Sequence, residues 1–216
     1  MRARLNVDPR SWGVAAIAEM GVAVALAALL GPLVVGALVP LRMPQGGAVT
    51  LEMVPILFVA VRRGVGPGVA VGAVYGVLQL VLPGAFIYHP LQVMLDYPLA
   101  FAAVGLAGLV PVRTPGVAVT AHGRSDWLGG AFWGIWTLVP AVALGTGARF
   151  VFHFVSGLVY FASYAPAWEA PWLYSMTYNL LYLVPEAVVT AIVLWPLLTA
   201  YDAAFGTPAT MDGRRR

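Results

Sequence analysis

The chain has 216 residues, 61% of them apolar and only 10% charged. A soluble domain carries about 25% charged residues, so too few charges are present here to cover a water-facing surface. Cysteine is absent, which excludes disulfides and thiolate metal sites. The twelve basic residues are all arginine and form no stripe, so a basic balance does not imply nucleic acid as a partner.

Mean hydropathy is +0.85, and a membrane-spanning helix needs about 20 mainly apolar residues. Six such segments are expected in one domain over residues 1–216, giving an all-α, polytopic membrane protein. They run at about 12–39, 49–61, 65–82, 91–110, 128–160 and 173–200. The second and third are short and are divided by Arg62-Arg63-Gly64. The fifth is long, with Gly145 and Gly147 as bend points. Residues 112–126 read as a polar loop on one side, and residues 162–172, with Pro166, Glu169 and Pro171, as a loop on the other. No short apolar leader with a small-residue cleavage site is expected at the N-terminus. A membrane β-barrel, built of ten-residue alternating strands, does not fit these long Ala-, Leu- and Val-rich runs.

Arginines at segment ends give the orientation. Arg2, Arg4 and Arg10 precede the first span; Arg62 and Arg63 follow the second. Arg113 and Arg124 lie between the fourth and fifth, and Arg214, Arg215 and Arg216 follow the sixth. With six spans all of these fall on one face, expected to be cytoplasmic, with both termini on it. Arg42 falls on the other face and Arg149 inside the fifth span. A multi-pass protein of the cell membrane is expected.

Polar groups inside spans are costly and are candidates for function. Glu19, Glu52, Asp96, Arg149, His153, Asn179 and Glu186 qualify, accompanied by Tyr97, Tyr174 and Tyr178. Topology places Asp96, Tyr97, His153, Tyr174 and Asn179 at similar depth, toward the outside. A carboxylate, an imidazole, an amide and aromatic rings suit a flat, partly cationic ligand, because aromatic faces attract cations. Arg149 and His153 share a helix face four residues apart; by themselves they also suit a contact with an anion or lipid headgroup. The first span places Ala15, Ala18, Gly21, Ala25 and Ala28 at three- and four-residue spacings. Such a stripe serves close packing within the bundle or docking of a membrane partner. No catalytic motif, metal set or P-loop is present, so neither enzymatic turnover nor self-driven ATP-dependent transport is expected, and no cofactor.

At these residues the chain resembles the thiamine-specific substrate-binding (S) components of energy-coupling factor vitamin transporters. The segment EMVPILFVAVRRG from Glu52 to Gly64 is similar to the family's second span and turn. Leu95-Asp96-Tyr97 with Gly105-Leu-Ala-Gly108 resembles its fourth span, where Glu-Tyr is typical. Arg149-Phe-Val-Phe-His153-Phe-Val-Ser-Gly157 resembles a (Lys/Arg)-x-x-x-His-x-x-x-Gly signature, and Tyr174-Ser-x-x-Tyr-Asn179 followed by Leu183-Val-Pro-Glu-Ala187 its sixth-span signature. The resemblance covers nearly the whole chain after residue 12. It implies a six-helix S-component bundle with an outward-facing vitamin pocket and no enzymatic activity. Its partners would be a transmembrane coupling protein and two ATPase subunits. The implied ligand-binding residues are Asp96, Tyr97, His153, Phe161, Tyr174 and Asn179, with Arg149 and Phe86 added to the set. Ala18, Gly21 and Ala25 would form the docking face. Two departures stand out: Gln45-Gly46-Gly47 occupies a stretch where a tryptophan is common, and Phe161 stands in for a second one. Trp168 and Trp172 are candidates to compensate. Thiamine is the favoured ligand, with a precursor or related heterocycle as the other choice. A solitary secondary transporter is the alternative, with Glu19, Glu52 and Glu186 extending a polar path; an intramembrane enzyme built on His153 and Asp96 is a further one.

Overall fold

The computed structural model describes residues 5–37, 42–112 and 127–205. Arg2, Arg4, Arg113, Arg124 and Arg214–Arg216, and most of the expected 112–126 loop, lie outside them. The described residues form six helices: α1 (Val14–Ala37), α2 (Met53–Arg63), α3 (Val65–Gln79), α4 (Pro90–Leu109), α5 (Trp127–Tyr160) and α6 (Pro171–Phe205). Among them α1, α4, α5 and α6 are long and apolar enough to cross a membrane. The fifth segment is a single helix through Gly145 and Gly147, with Pro140 inside it.

Contacts fix the direction of each helix. Glu19, near the start of α1, pairs with Arg63 at the end of α2, while Gly31 of α1 faces Glu52 at the start of α2. Gly76 of α3 meets Tyr97 of α4, and Gly68 meets Gly105. Gly145 of α5 meets Val104 of α4 while Ser156 meets Asp96, and Arg149 of α5 pairs with Glu186 of α6 while Gly157 meets Ser175. The six helices therefore alternate in direction. One end of the bundle holds Glu52, Asp96, His153 and Asn179. The other holds Arg62, Arg63 and Asp202, with Arg10 just before α1.

The 11 residues of α2 reach roughly 16 Å, about half the hydrocarbon thickness. Before it, residues 42–52 form an irregular segment with a turn at Met43–Gly46 and a bridge between Arg42 and Ala48. Non-helical backbone is tolerated at membrane depth only where protein or a cavity surrounds it. Gln45–Ala48, Thr50 and Glu52 do line a cavity, while α2 packs against α1, α3, α4 and α6 and buries Met53, Val54, Ile56, Leu57, Val59 and Ala60 in the main core. At its far end Gly64 takes a positive φ of 95°, a conformation open to glycine, and lets α3 turn straight back.

The α3–α4 interface combines one buried ring pair, Tyr75 edge-on to Phe101 at 4.9 Å, with glycines that bring the two backbones together. A Cβ on Gly72 would lie 2.0 Å from the Phe101 carbonyl oxygen, and one on Gly76 would lie 2.5 Å from that of Tyr97. Gly105 approaches Val69 and Gly68 in the same way. Small residues let helices meet backbone to backbone where lipid offers no hydrophobic drive. In α1 the inward residues are Ala16, Ala23 and Ala27, all buried. Ala15, Ala18, Gly21 and Ala25 are exposed, and nothing lies within 4 Å of a Cβ on Gly21.

These packing differences give an expected pair of outcomes. Gly72→Ala must push two backbones apart and should destabilise by about 1–3 kcal/mol. Gly147→Ala meets nothing within 4 Å and should be neutral or stabilising by up to about 1 kcal/mol. Thermal unfolding of both variants in detergent checks this.

Candidate ligand-binding site

A cavity of about 310 Å³ opens at the end of the bundle where α2 begins. Phe86, Asp96, Tyr97, Arg149, His153, Phe161, Tyr174 and Asn179 all line it. They come from α4, α5, α6 and two connecting segments, so only the folded bundle brings them together. The lining also includes residues not singled out as ligand contacts in the sequence: Gln45, Thr50, Glu52, Tyr75, Gln79, Gln92, Tyr178 and Tyr182. Trp168 and Trp172 are 83% and 53% exposed and are not part of the lining, so neither replaces the missing tryptophans there.

Asp96 is the best-held group in the wall. It sits in a widened π-helical turn, Leu95–Leu99, which contains Pro98. Proline has no N–H to donate and crowds the preceding turn, and π turns of this kind often mark functional positions. The Asp96 carboxylate accepts from Gln92 Nε2 at 2.7 Å and Ser156 Oγ at 2.8 Å, both on Oδ2. Its Oδ1 lies 3.1 Å from His153 Nδ1. A carboxylate has about four acceptor positions, so Oδ1 keeps one free.

The floor is ionic. Arg149 donates through Nη1 to Glu186 at 3.1 Å and through Nη2 to Glu52 at 3.3 Å. Glu186 is 0% exposed, Glu52 and Arg149 4% each. Thr50 Oγ1 donates to Glu186, while Tyr75 and Gln79 donate to Glu52 at 2.6 and 3.0 Å. The Phe101 ring covers the guanidinium at 4.2 Å. Arg149 is thus engaged below the cavity by two carboxylates, which excludes the headgroup contact that its spacing from His153 allowed. Glu19 does not extend this floor; it lies at the opposite end, bonded to Arg63 and Tyr201.

Tyrosine hydroxyls fasten the Gln45–Gly46 segment and the Phe86 segment, both of which line the cavity. Tyr178 accepts from Gln45 N at 2.8 Å and donates to Gly46 O at 2.9 Å. Tyr97 does the same for Phe86, accepting from its N at 2.6 Å and donating to its O at 3.2 Å. Gln92, buried, bonds Tyr88 N and Phe86 O as well as Asp96. Phe161 packs on Phe86 and Tyr88 at ring distances of 5.7 and 6.3 Å. Asn179 spends its amide within the wall, donating to Ser175 O and accepting from Tyr182. Gln45 Oε1 is buried without a hydrogen-bond donor, which leaves an acceptor for a bound molecule. In the sequence Gln45 shows only as a residue in place of a tryptophan; Tyr97 and Tyr178 stand out there as candidates, but nothing local shows that their hydroxyls fasten backbone.

A helical membrane bundle with a closed-in polar and aromatic cavity at one end defines a ligand-binding membrane protein. The sequence profile described as thiamine transporter protein (Thia_YuaJ) matches residues 17–205. The thiamine transporter ThiT of Bacillus subtilis (strain 168) is 40% identical over 156 residues, covering 71% of this chain and 76% of its own. The thiamine transporter ThiT of Lacticaseibacillus paracasei is 35% identical, with 71% and 74% covered. A solved structure of ThiT from Listeria monocytogenes shares the fold, with a TM-score of 0.68 at 23% identity over 87% of this chain and 94% of that one. The chain belongs to the thiamine transporter protein family and is a multi-pass membrane protein.

Tyr178→Phe removes both bonds to the Gln45–Gly46 segment and leaves a half-buried N–H and a carbonyl without that partner. A stability loss of about 1–3 kcal/mol is expected, together with faster proteolysis within residues 42–48. Thermal unfolding and limited proteolysis check the two halves of that statement.

Proposed function

We propose that this protein is the thiamine-binding S component of an energy-coupling factor importer, capturing the vitamin outside the cell for ATP-driven uptake. Family membership and the chemistry of the cavity support this. The observation that carries it is Asp96, whose carboxylate lies among aromatic rings with one acceptor position open. Thiamine joins an aminopyrimidine to a cationic thiazolium. The amino group is a donor for Asp96 Oδ1, and the rings of Phe86, Tyr97, Phe161 and Tyr174 offer faces for stacking and cation–π attraction. His153, Asn179 and Arg149 hold the wall and floor on which the ligand rests. No reaction is performed; the protein binds and releases.

The arginine distribution favours a cytoplasmic placement for the Arg62–Arg63 end and both termini, so the cavity faces outward in the cell membrane. The whole chain acts as one domain. The chain carries no P-loop, and its energy would come from two ATPase subunits through a transmembrane coupling protein. The exposed stripe of Ala18, Gly21 and Ala25 on α1 is the docking face, where small residues permit close helix approach.

Calorimetric titration of purified protein with thiamine should give a Kd below about 1 µM. Asp96→Asn replaces the charged acceptor by a neutral one and should weaken binding by about 10–100-fold, the range of a charge-assisted hydrogen bond. Absence of binding to the parent protein would overturn the substrate. Proteoliposomes holding this chain alone should show no thiamine uptake; uptake without ATPases would establish a solitary secondary transporter instead.

A further inference from the structure

The floor network reaches the ligand wall at one atom. Arg149 Nε donates to His153 Nε2 at 3.1 Å, one helical turn along α5. A guanidinium has donors only and stays charged in proteins. His153 Nε2 must therefore present its lone pair to Arg149. The single ring proton is left on Nδ1, which faces Asp96 Oδ1 at 3.1 Å. An imidazolium would set an N–H of its own against the Arg149 N–H. The imidazole is held from the side as well: Tyr182 meets its ring edge-on at 6.2 Å.

We propose that Glu52, Arg149 and Glu186 form a buried positioning device that fixes His153 as the neutral Nδ1–H tautomer, so that Asp96 is presented to the ligand as an ionised, pre-oriented acceptor. Arg149 is then a positioning residue rather than a ligand contact. Its two Nη groups are taken by Glu186 and Glu52, and these two bonds hold the plane of the guanidinium with Nε aimed at His153. A charge in this place is costly unless paired, and Arg149 is met by both carboxylates. Glu52 and Glu186 act at one further remove, by holding Arg149. This inference rests on the reading of the cavity as the thiamine site.

The test begins without ligand. Nitrogen-15 spectra of imidazole-labelled protein in nanodiscs near neutral pH, with His153 assigned by the signal lost in His153→Gln, should show a protonated Nδ1 and an unprotonated Nε2. An Nε2–H tautomer or an imidazolium would overturn the inference and leave the thiamine reading untouched. Arg149→Lys keeps the charge but has no planar fork with which to meet two carboxylates and the imidazole together. It should mix the two tautomers and weaken thiamine binding about tenfold, the scale of one lost hydrogen bond. In a His153→Gln background the same Arg149→Lys change should cost little further affinity, since its route to the ligand has been removed. Equal losses in both backgrounds would show that Arg149 acts by another route and would sink the proposal. If Arg149→Lys does not fold, the tautomer of the parent protein decides. Failure of the parent protein to bind thiamine, with the expected tautomer present, would instead remove only the choice of ligand.

Discussion

A single guanidinium with nowhere to go organises this bundle. Arg149 is buried among helices that face lipid, where an unpaired charge is expensive and where a pair must be complete to be tolerated. Its partners come from the start of α2 and the middle of α6, so three chain segments that are far apart in sequence must converge for the charge to be met. Glu52 in turn needs Tyr75 and Gln79 of α3, and Glu186 needs Thr50. With Phe101 of α4 over the guanidinium, the requirement spreads to α3, α4, α5 and α6 and to the irregular segment before α2. Above the network the same logic continues through His153 to Asp96, then through Gln92 to the backbone of Phe86. Floor, wall and rim form one connected set of hydrogen bonds.

The other end of the bundle solves its charges separately. Arg63 grips Glu19 through two bonds of 2.7 Å, with Tyr201 completing the carboxylate. Arg62 pairs with Asp202 and lies 4.0 Å over the Tyr201 ring. Asn6 caps the arrangement by donating to the Arg63 carbonyl. Between the two ends lies an apolar core built from Met53, Ile56, Leu57, Leu138 and Leu194. With so few charges in the chain, nearly every described acidic residue within the helices is spent on a named partner.

Much of the architecture is written in hydropathy. Six apolar runs, and the Arg-Arg-Gly break between the second and third, correspond to six helices because lipid leaves helical backbone few alternatives. The run from Val49 to Val61 is the instructive case. Composition alone cannot show where a helix begins: this one starts only at Met53, and residues 42–52 form an irregular, turn-containing segment that lines the cavity. The site was legible where rare polar residues stand out against apolar surroundings, as Asp96, Arg149, His153 and Asn179 do. What a linear reading missed are the pairings: Ser156 on Asp96, Thr50 on Glu186, Tyr178 on Gly46. Serine, threonine and tyrosine are ordinary in such helices, and their roles depend on contacts 60 to 136 residues apart. The glycines at 68, 72 and 76 repeat every four residues, a stripe visible in the sequence, but its partner backbone on α4 is visible only in three dimensions.

That glycine stripe has a mechanical meaning. Where helices meet through side chains, they slide by exchanging rotamers, as gears slip when their teeth bend. Where Gly72 and Gly76 rest on the carbonyls of Phe101 and Tyr97, there are no teeth to bend. The α3–α4 pair is a welded plate, and Asp96 and Tyr97 are mounted on it. A wall mounted in this way holds Asp96 and Tyr97 at a fixed distance from α3, because neither backbone can approach or slip past the other without a clash.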